Sequence, residues 1–165
     1  MNNILYEAAF KFDSFLLTLP FMLIFIAVFP IILKKSYNDK NSAISFNVVK
    51  IFCMFAFCFV LFIFVGSSLL GINMYTKVVG AYKDGEFMIV EGYVENFDPM
   101  PYGGHSEESF EINNVTFSYS DYTIQPGYNN SKSHGGVIEG NGQHLKVGYV
   151  DYYGTNIIVY IEQLE

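Results

Sequence analysis

The sequence predicts a membrane α-helical hairpin of two transmembrane helices, followed by an all-β C-terminal domain of about six strands forming a small, partly open β-barrel or sandwich. Three observations lead there. Residues 15–33 and 51–72 hold no charged side chain, giving apolar runs of 19 and 22 residues, where a spanning helix needs about 20. Charge is segregated: the 165-residue chain has a net charge of −7, yet 34–50 carries four Lys and one Asp, and 73–165 carries four Lys and thirteen acids. Composition also changes at Asn73, beyond which lie twelve of the fourteen Gly and eleven of the thirteen Tyr, while ten of the seventeen Phe fall in the two apolar runs.

The first run reads FLLTLPFMLIFIAVFPIIL and the second IFCMFAFCFVLFIFVGSSLLGI. As helices they reach roughly 28 and 33 Å, enough for a hydrocarbon core of roughly 30 Å. Neither has a polar face, which excludes a helix lying in the interface. KKSYND follows the first run, where a cleaved signal peptide would need small residues. Pro20 and Pro30 are tolerated in a membrane, as a kink and a terminal break. Residues 1–72 thus form a two-pass N-terminal hairpin with loop 34–50, and both termini share one side. Lys34, Lys35 and Lys50 stand at the membrane ends. Four loop Lys against Lys11, Lys77 and Lys83 favour a cytoplasmic loop, with the β domain outside. Gly66, Ser67 and Gly71 offer a small-residue face for helix packing and a homo-oligomer. Cys53 and Cys58 lie inside the second run and read as small apolar fillers, with neither a disulfide nor a metal role.

In 73–165 short β-type runs alternate with turn residues. Runs 74–82 (MYTKVVGAY) and 87–97 (FMIVEGYVENF) flank an Asp-Gly, a strong hairpin signal. Runs 109–112 and 115–120 flank Asn113-Asn114, and Asn accepts positive φ. Runs 144–150 and 156–161 flank a five-residue connection, 151–155. Leu145, Val147 and Tyr149 alternate with Lys146 and Gly148, as a strand with one buried face requires. The domain is expected to fold alone from Met74 to Glu165, close to the bilayer because almost no linker follows the second run.

Two connections are longer than turns: 98–108 (DPMPYGGHSEE) and 121–142 (DYTIQPGYNNSKSHGGVIEGNG). Connections of this length in a compact domain are functional or disordered, and their Tyr and Pro content argues for order. The ligand-binding candidates are therefore His105, Glu108, Tyr119, Asp121, Tyr122 and His134. Tyr supplies a flat face at small entropic cost, carboxylates accept hydrogen bonds, and His donates or titrates. No HxxxH, HxH or CxxC spacing is present, so no metal site and no cofactor is expected. No nucleophile elbow is present, and the Gly-Gly pairs open no helix, so no catalytic residue is assigned. An acidic domain also excludes a nucleic-acid polymer as partner.

Residues 90–136 carry an EG-V-NF strand, a P-GH-E-F loop and strand, and then F-YSDY, PG-N and HGG. In that order they resemble an uncharacterised family of bacterial membrane proteins, which implies no activity. By layout, the chain also looks like the two-span, β-rich effectors of bacterial antiphage signalling. That likeness implies a barrel that binds a cyclic oligonucleotide and spans that disrupt the inner membrane. The expected function is a non-enzymatic bacterial inner-membrane protein whose β domain recognises a ligand or partner near the bilayer. The alternatives are the cyclic-oligonucleotide-gated effector and a membrane-bound hydrolase or metal-binding protein.

Overall fold

The computed structural model describes residues 3–9, 19–38 and 46–165. The chain divides into two compact units, one of Met1–Lys11 with Asn73–Glu165 and one of Phe12–Ile72. The second unit contains helix α1 (Leu19–Asn38) and the greater part of helix α2 (Phe46–Asp84). Among the described residues α2 is the one helix long and apolar enough to cross a membrane, and only 6% of its most apolar window is buried. A core helix of a soluble domain would bury most of such a window. Phe52, Phe55, Phe62 and Leu70 are all exposed along it, a surface that is stable only against another apolar phase.

The expectation of two full spans is therefore met by one helix of spanning length rather than by a hairpin of two. Residues 15–18 of the first run and 39–45 of the loop lie outside the described residues. Pro30 does not end α1, which continues through Lys34 and Lys35 to Asn38. The two helices touch through the Phe29–Phe57 and Tyr37–Phe46 ring pairs, at 6.0 and 5.4 Å. A small apolar cavity of about 120 Å³ between Val28, Phe29, Ile32, Phe52, Cys53 and Ala56 marks the same contact. Cys53 is buried there, whereas Cys58 is exposed.

The other unit is built on two antiparallel sheets that do not close into a barrel. Its strands are β1 (Asn3–Glu7), β2 (Met88–Tyr93), β3 (Glu95–Asp98), β4 (Glu108–Ile112), β5 (Val115–Tyr119), β6 (His144–Tyr152) and β7 (Thr155–Gln163). One sheet has the order β1-β7-β6-β2 and the other β3-β4-β5. The expected single strand over 87–97 is divided at Val94. That residue is buried and bonded to Gln143 and Gly142, and beyond it the chain enters the other sheet, where Asn96, with a positive φ of 51°, sits at an irregularity of the β3–β4 pairing. Between the sheets lies a core of Val90, Val94, Phe110, Ile112, Phe117, Leu145, Val147, Ile158 and Ile161.

Two expectations are corrected here. Residues 74–82 are not a strand but the last turns of α2. Tyr75, Val78 and Val79 are buried and Tyr82 is half-buried; at i, i+3, i+4 and i+7 they form one helical stripe. Val78 packs on the outer face of the four-stranded sheet, joining Ala8, Ile157 and Val159 in a second core cluster with Met74 and Tyr82 against it. Packing from both faces explains why β7 reads TNIIVYIEQ, a nearly continuous apolar run, rather than alternating. The Asp-Gly that signalled a hairpin is a helix C-cap instead. Gly85 has φ 73°, its N–H donates to the Tyr82 carbonyl at 3.2 Å, and the Glu86 N–H donates to the Ala81 carbonyl at 2.8 Å. This is the paired bonding of a Schellman motif, in which a left-handed residue is needed one position past the helix.

Strand β1 is a further finding, marked by no sequence signal. It pairs with β7 (Asn3 opposite Gln163, Glu7 opposite Tyr160), and the Ala8 N–H donates to the Val159 carbonyl at 2.8 Å. The β4–β5 hairpin turns at Asn113-Asn114 as expected. The β6–β7 hairpin is tighter than expected, because Tyr152 pairs with Thr155 and only Tyr153-Gly154 forms the turn.

Candidate recognition site

The first long connection, 99–107, leads into β4, and the second runs from β5 to β6. They meet at Glu108. Its side chain is fully buried and accepts four hydrogen bonds. Tyr119 Oη donates to Oε1 at 2.6 Å. The Met100 N–H donates to Oε2 at 3.3 Å, and the Lys132 N–H lies 3.1 Å from both oxygens. A buried carboxylate is stable only when its lone pairs are met in this way. Here the donors come from β5 and from both connections, so one side chain straps them together. Burial above all, and then the hydrogen bond to Glu108 and its charge, raise the Tyr119 hydroxyl far above its ordinary range. It stays protonated and donates. Burial likewise lifts Tyr128 to about 12; its hydroxyl accepts from the Val137 N–H at 2.7 Å, which fixes the second connection internally.

Above this strap lies a polar cluster at the surface. Asp121 Oδ2 meets His134 Nδ1 and accepts from Ser131 Oγ at 2.9 Å. Ser131 Oγ also lies 3.1 Å from His134 Nδ1. A carboxylate beside Nδ1 makes that nitrogen the donor and leaves Nε2 as the second functional atom of the ring. Asp121 Oδ1 is buried and has no partner among the described residues. Around the imidazole stand further rings: Tyr102 at 5.3 Å from His134, Tyr122 at 6.4 Å from His134, and His105 at 4.1 Å from Tyr122. Tyr102 is 84% exposed and Tyr122 about half, so the rings present an open face.

The structure thus brings the six expected residues into one region but divides their roles. His105, Tyr122 and His134 reach the surface, and Asp121 orients His134. Glu108 and Tyr119 are buried and cannot touch a ligand, so they support the site from beneath. Two participants carried too little signal in the sequence. Tyr102 sits among turn residues with nothing to mark its ring as paired with His134, and Ser131 is one of several Ser in a polar run. The HGG tripeptide is explained locally. Gly135 caps the short 3₁₀ turn Lys132–His134 with φ 88°, and a Cβ on Gly136 would overlap the Asn130 carbonyl and the Tyr128 hydroxyl.

This arrangement is not a hydrolytic triad. In a triad, Ser and Asp engage opposite nitrogens of the imidazole, whereas Ser131 and Asp121 both meet Nδ1 and Ser131 is fully buried. Among the described residues, no group of three His, Cys, Asp or Glu is gathered in a way that could hold a metal ion. In the apolar unit, the Ser67 hydroxyl donates back to the Phe64 carbonyl at 3.1 Å, so this member of the small-residue face is bonded within its own helix. No family model, no curated protein and no solved structure matches the chain.

Proposed function

We propose that this chain is a two-pass bacterial inner-membrane protein, with its termini and β domain outside, that recognises a ring-bearing neutral or cationic ligand. The observation that carries the recognition reading is the ring cluster of Tyr102, His105, Tyr122 and His134, with Asp121 bonded to His134 and Glu108 strapping the two connections beneath. Rings at these separations form a stacking surface with polar rims. Thirteen acids against four Lys in 73–165 disfavour an anionic ligand and suit a neutral or cationic one.

The two-pass reading is supported by β1. The chain leaves the β domain after Ala8 and returns to it before Val78, and both residues lie in one core cluster. Any membrane crossed in between must be crossed an even number of times. The antiparallel sense of the Phe29–Phe57 and Tyr37–Phe46 contacts agrees with this.

Two measurements test the proposal. Ser131 is fully buried and Asn130 exposed, so a cysteine is introduced as Asn130→Cys and treated with an impermeant maleimide in whole cells. Labelling is expected. Protection until the cells are opened would place the domain in the cytosol, the side from which a cyclic oligonucleotide could reach it. For recognition, ring-bearing amines and nucleosides are screened by ligand-observed NMR against the full chain in micelles. Tyr122→Ala and Tyr102→Ala should each weaken a hit about tenfold, the equivalent of losing one ring stack, with the melting midpoint unchanged. A hit that binds both variants as well as the parent would move recognition away from this cluster.

A further inference from the structure

We infer that the tip of the β6–β7 hairpin is a membrane-contact element, with Tyr153 and Lys77 seated together among lipid headgroups; the inference rests on the proposed membrane reading. It starts from a residue that does not suit its position. Tyr153 and Gly154 form a two-residue turn with φ values of 53° and 85°, the type I′ geometry in which Asn-Gly is favoured. The other tight turn of this domain uses the favoured residue type, Asn113-Asn114 at 48° and 65°. Holding a bulky aromatic residue in the left-handed region costs stability, and such strain is retained where the side chain is used. Within the protein Tyr153 has little packing to offset that cost, since its side chain is 85% exposed.

Its neighbours suggest the use. The Lys77 ammonium lies 5.7 Å from the centre of the Tyr153 ring, and the Tyr152 ring lies 4.7 Å away at 80°. Asp151, the nearest carboxylate in the chain, accepts the Gly154 N–H at 2.7 Å and so belongs to the turn. Lys77 follows Ile72, the last residue of the uncharged run, by five helical positions, a rise of about 7.5 Å. The headgroup layer is roughly 5–7 Å deep on each side of the hydrocarbon core. If α2 crosses the bilayer, chain connectivity alone brings Lys77 to the headgroup zone, and the cation–π contact brings the Tyr153 ring with it. Tyr and Lys are the residues that anchor proteins at this level, the ring in the amphipathic layer and the ammonium towards phosphate. A lipid surface is thus the partner whose chemistry fits both side chains and explains the strained turn.

The chain contains no Trp, so a single introduced Trp is an unambiguous fluorophore. Tyr153→Trp is made in the full chain and reconstituted into phosphatidylcholine vesicles brominated either near the headgroup or near the chain ends. Phe62→Trp, in the exposed middle of α2, is measured in parallel. The expected result is blue-shifted emission from Tyr153→Trp, quenched at least twofold more by the shallow bromines than by the deep ones. Phe62→Trp should show the opposite preference. If Phe62→Trp is quenched while Tyr153→Trp emits as in water and is quenched by neither lipid, the inference is overturned and the membrane reading survives. If neither probe is quenched, the membrane reading itself fails, and this inference fails with it. Folding is not at risk at an exposed turn that already holds an aromatic residue.

Discussion

Glu108→Ala is expected to destabilise the β domain by about 3–5 kcal/mol, because three donors, two of them buried and one half-buried, lose their acceptor at once. Tyr119 Oη and the N–H groups of Met100 and Lys132 all point at this one carboxylate. Water would have to enter a fully buried position to replace it. For a domain of this size the melting midpoint should fall by about 15 °C or more, read by near-ultraviolet circular dichroism of the Tyr-rich domain in the full chain. Glu108→Gln should fall between parent and Ala, since one oxygen still accepts while the amide nitrogen confronts a backbone N–H. Glu111→Ala is the control. That carboxylate also accepts two hydrogen bonds, from Asn96 at 2.8 Å and Thr116 at 3.2 Å, but at the exposed surface, where the loss should stay under about 1 kcal/mol. A Glu108→Ala variant as stable as Glu111→Ala would show that the two connections are held by something other than this strap. The same variant should lose ligand binding together with stability, which separates it from Tyr122→Ala.

From sequence alone a fragment spanning residues 74–165 is expected to fold by itself; with β1 seen in the sheet, it is expected instead to lack a cooperative melt, or to melt far below the intact domain. Without β1 the outer edge of β7 is left unpaired from Tyr160 to Gln163. Buried Ala8 and the half-buried side chains of Leu5 and Tyr6 are lost from the two core clusters. Tyr6 also packs edge-on against Tyr128 at 5.2 Å, and the Tyr82 hydroxyl loses its acceptor Glu7 at 3.0 Å. At about 1.5–3 kcal/mol for a fully buried large side chain, two half-buried ones and the ladder bonds amount to about 4 kcal/mol. That is a large share of the 5–15 kcal/mol by which domains are stable. Adding a peptide of residues 1–9 to the fragment should restore the β spectrum and a cooperative transition. A sharp melt without the peptide, unchanged by its addition, would show β1 to be an accessory.

What the chain determined by itself is what short-range chemistry encodes. An uncharged run such as 51–72 is a property of composition and needs no partner to be recognised. Asn113-Asn114 marks the β4–β5 hairpin because the turn and its two strands are adjacent, and the β6–β7 pairing was legible for the same reason. The positions of the long connections, and with them the region of His105, Tyr122 and His134, followed from the same local punctuation. The tertiary structure decided everything that depends on a distant partner. Strand β1 is five residues long, and its partner lies more than 150 residues away, so nothing near it in sequence distinguishes NILYE from a frayed terminus. Residues 74–82 have the composition of a strand, and it is the sheet beneath them that favours a helix with Tyr75, Val78, Val79 and Tyr82 on one face. From sequence, Glu108 reads as a surface acid that accepts hydrogen bonds from a ligand. It became the strap only because folding removed it from water and surrounded it with donors from β5 and two separate connections, and a charge in that position must be bonded or excluded.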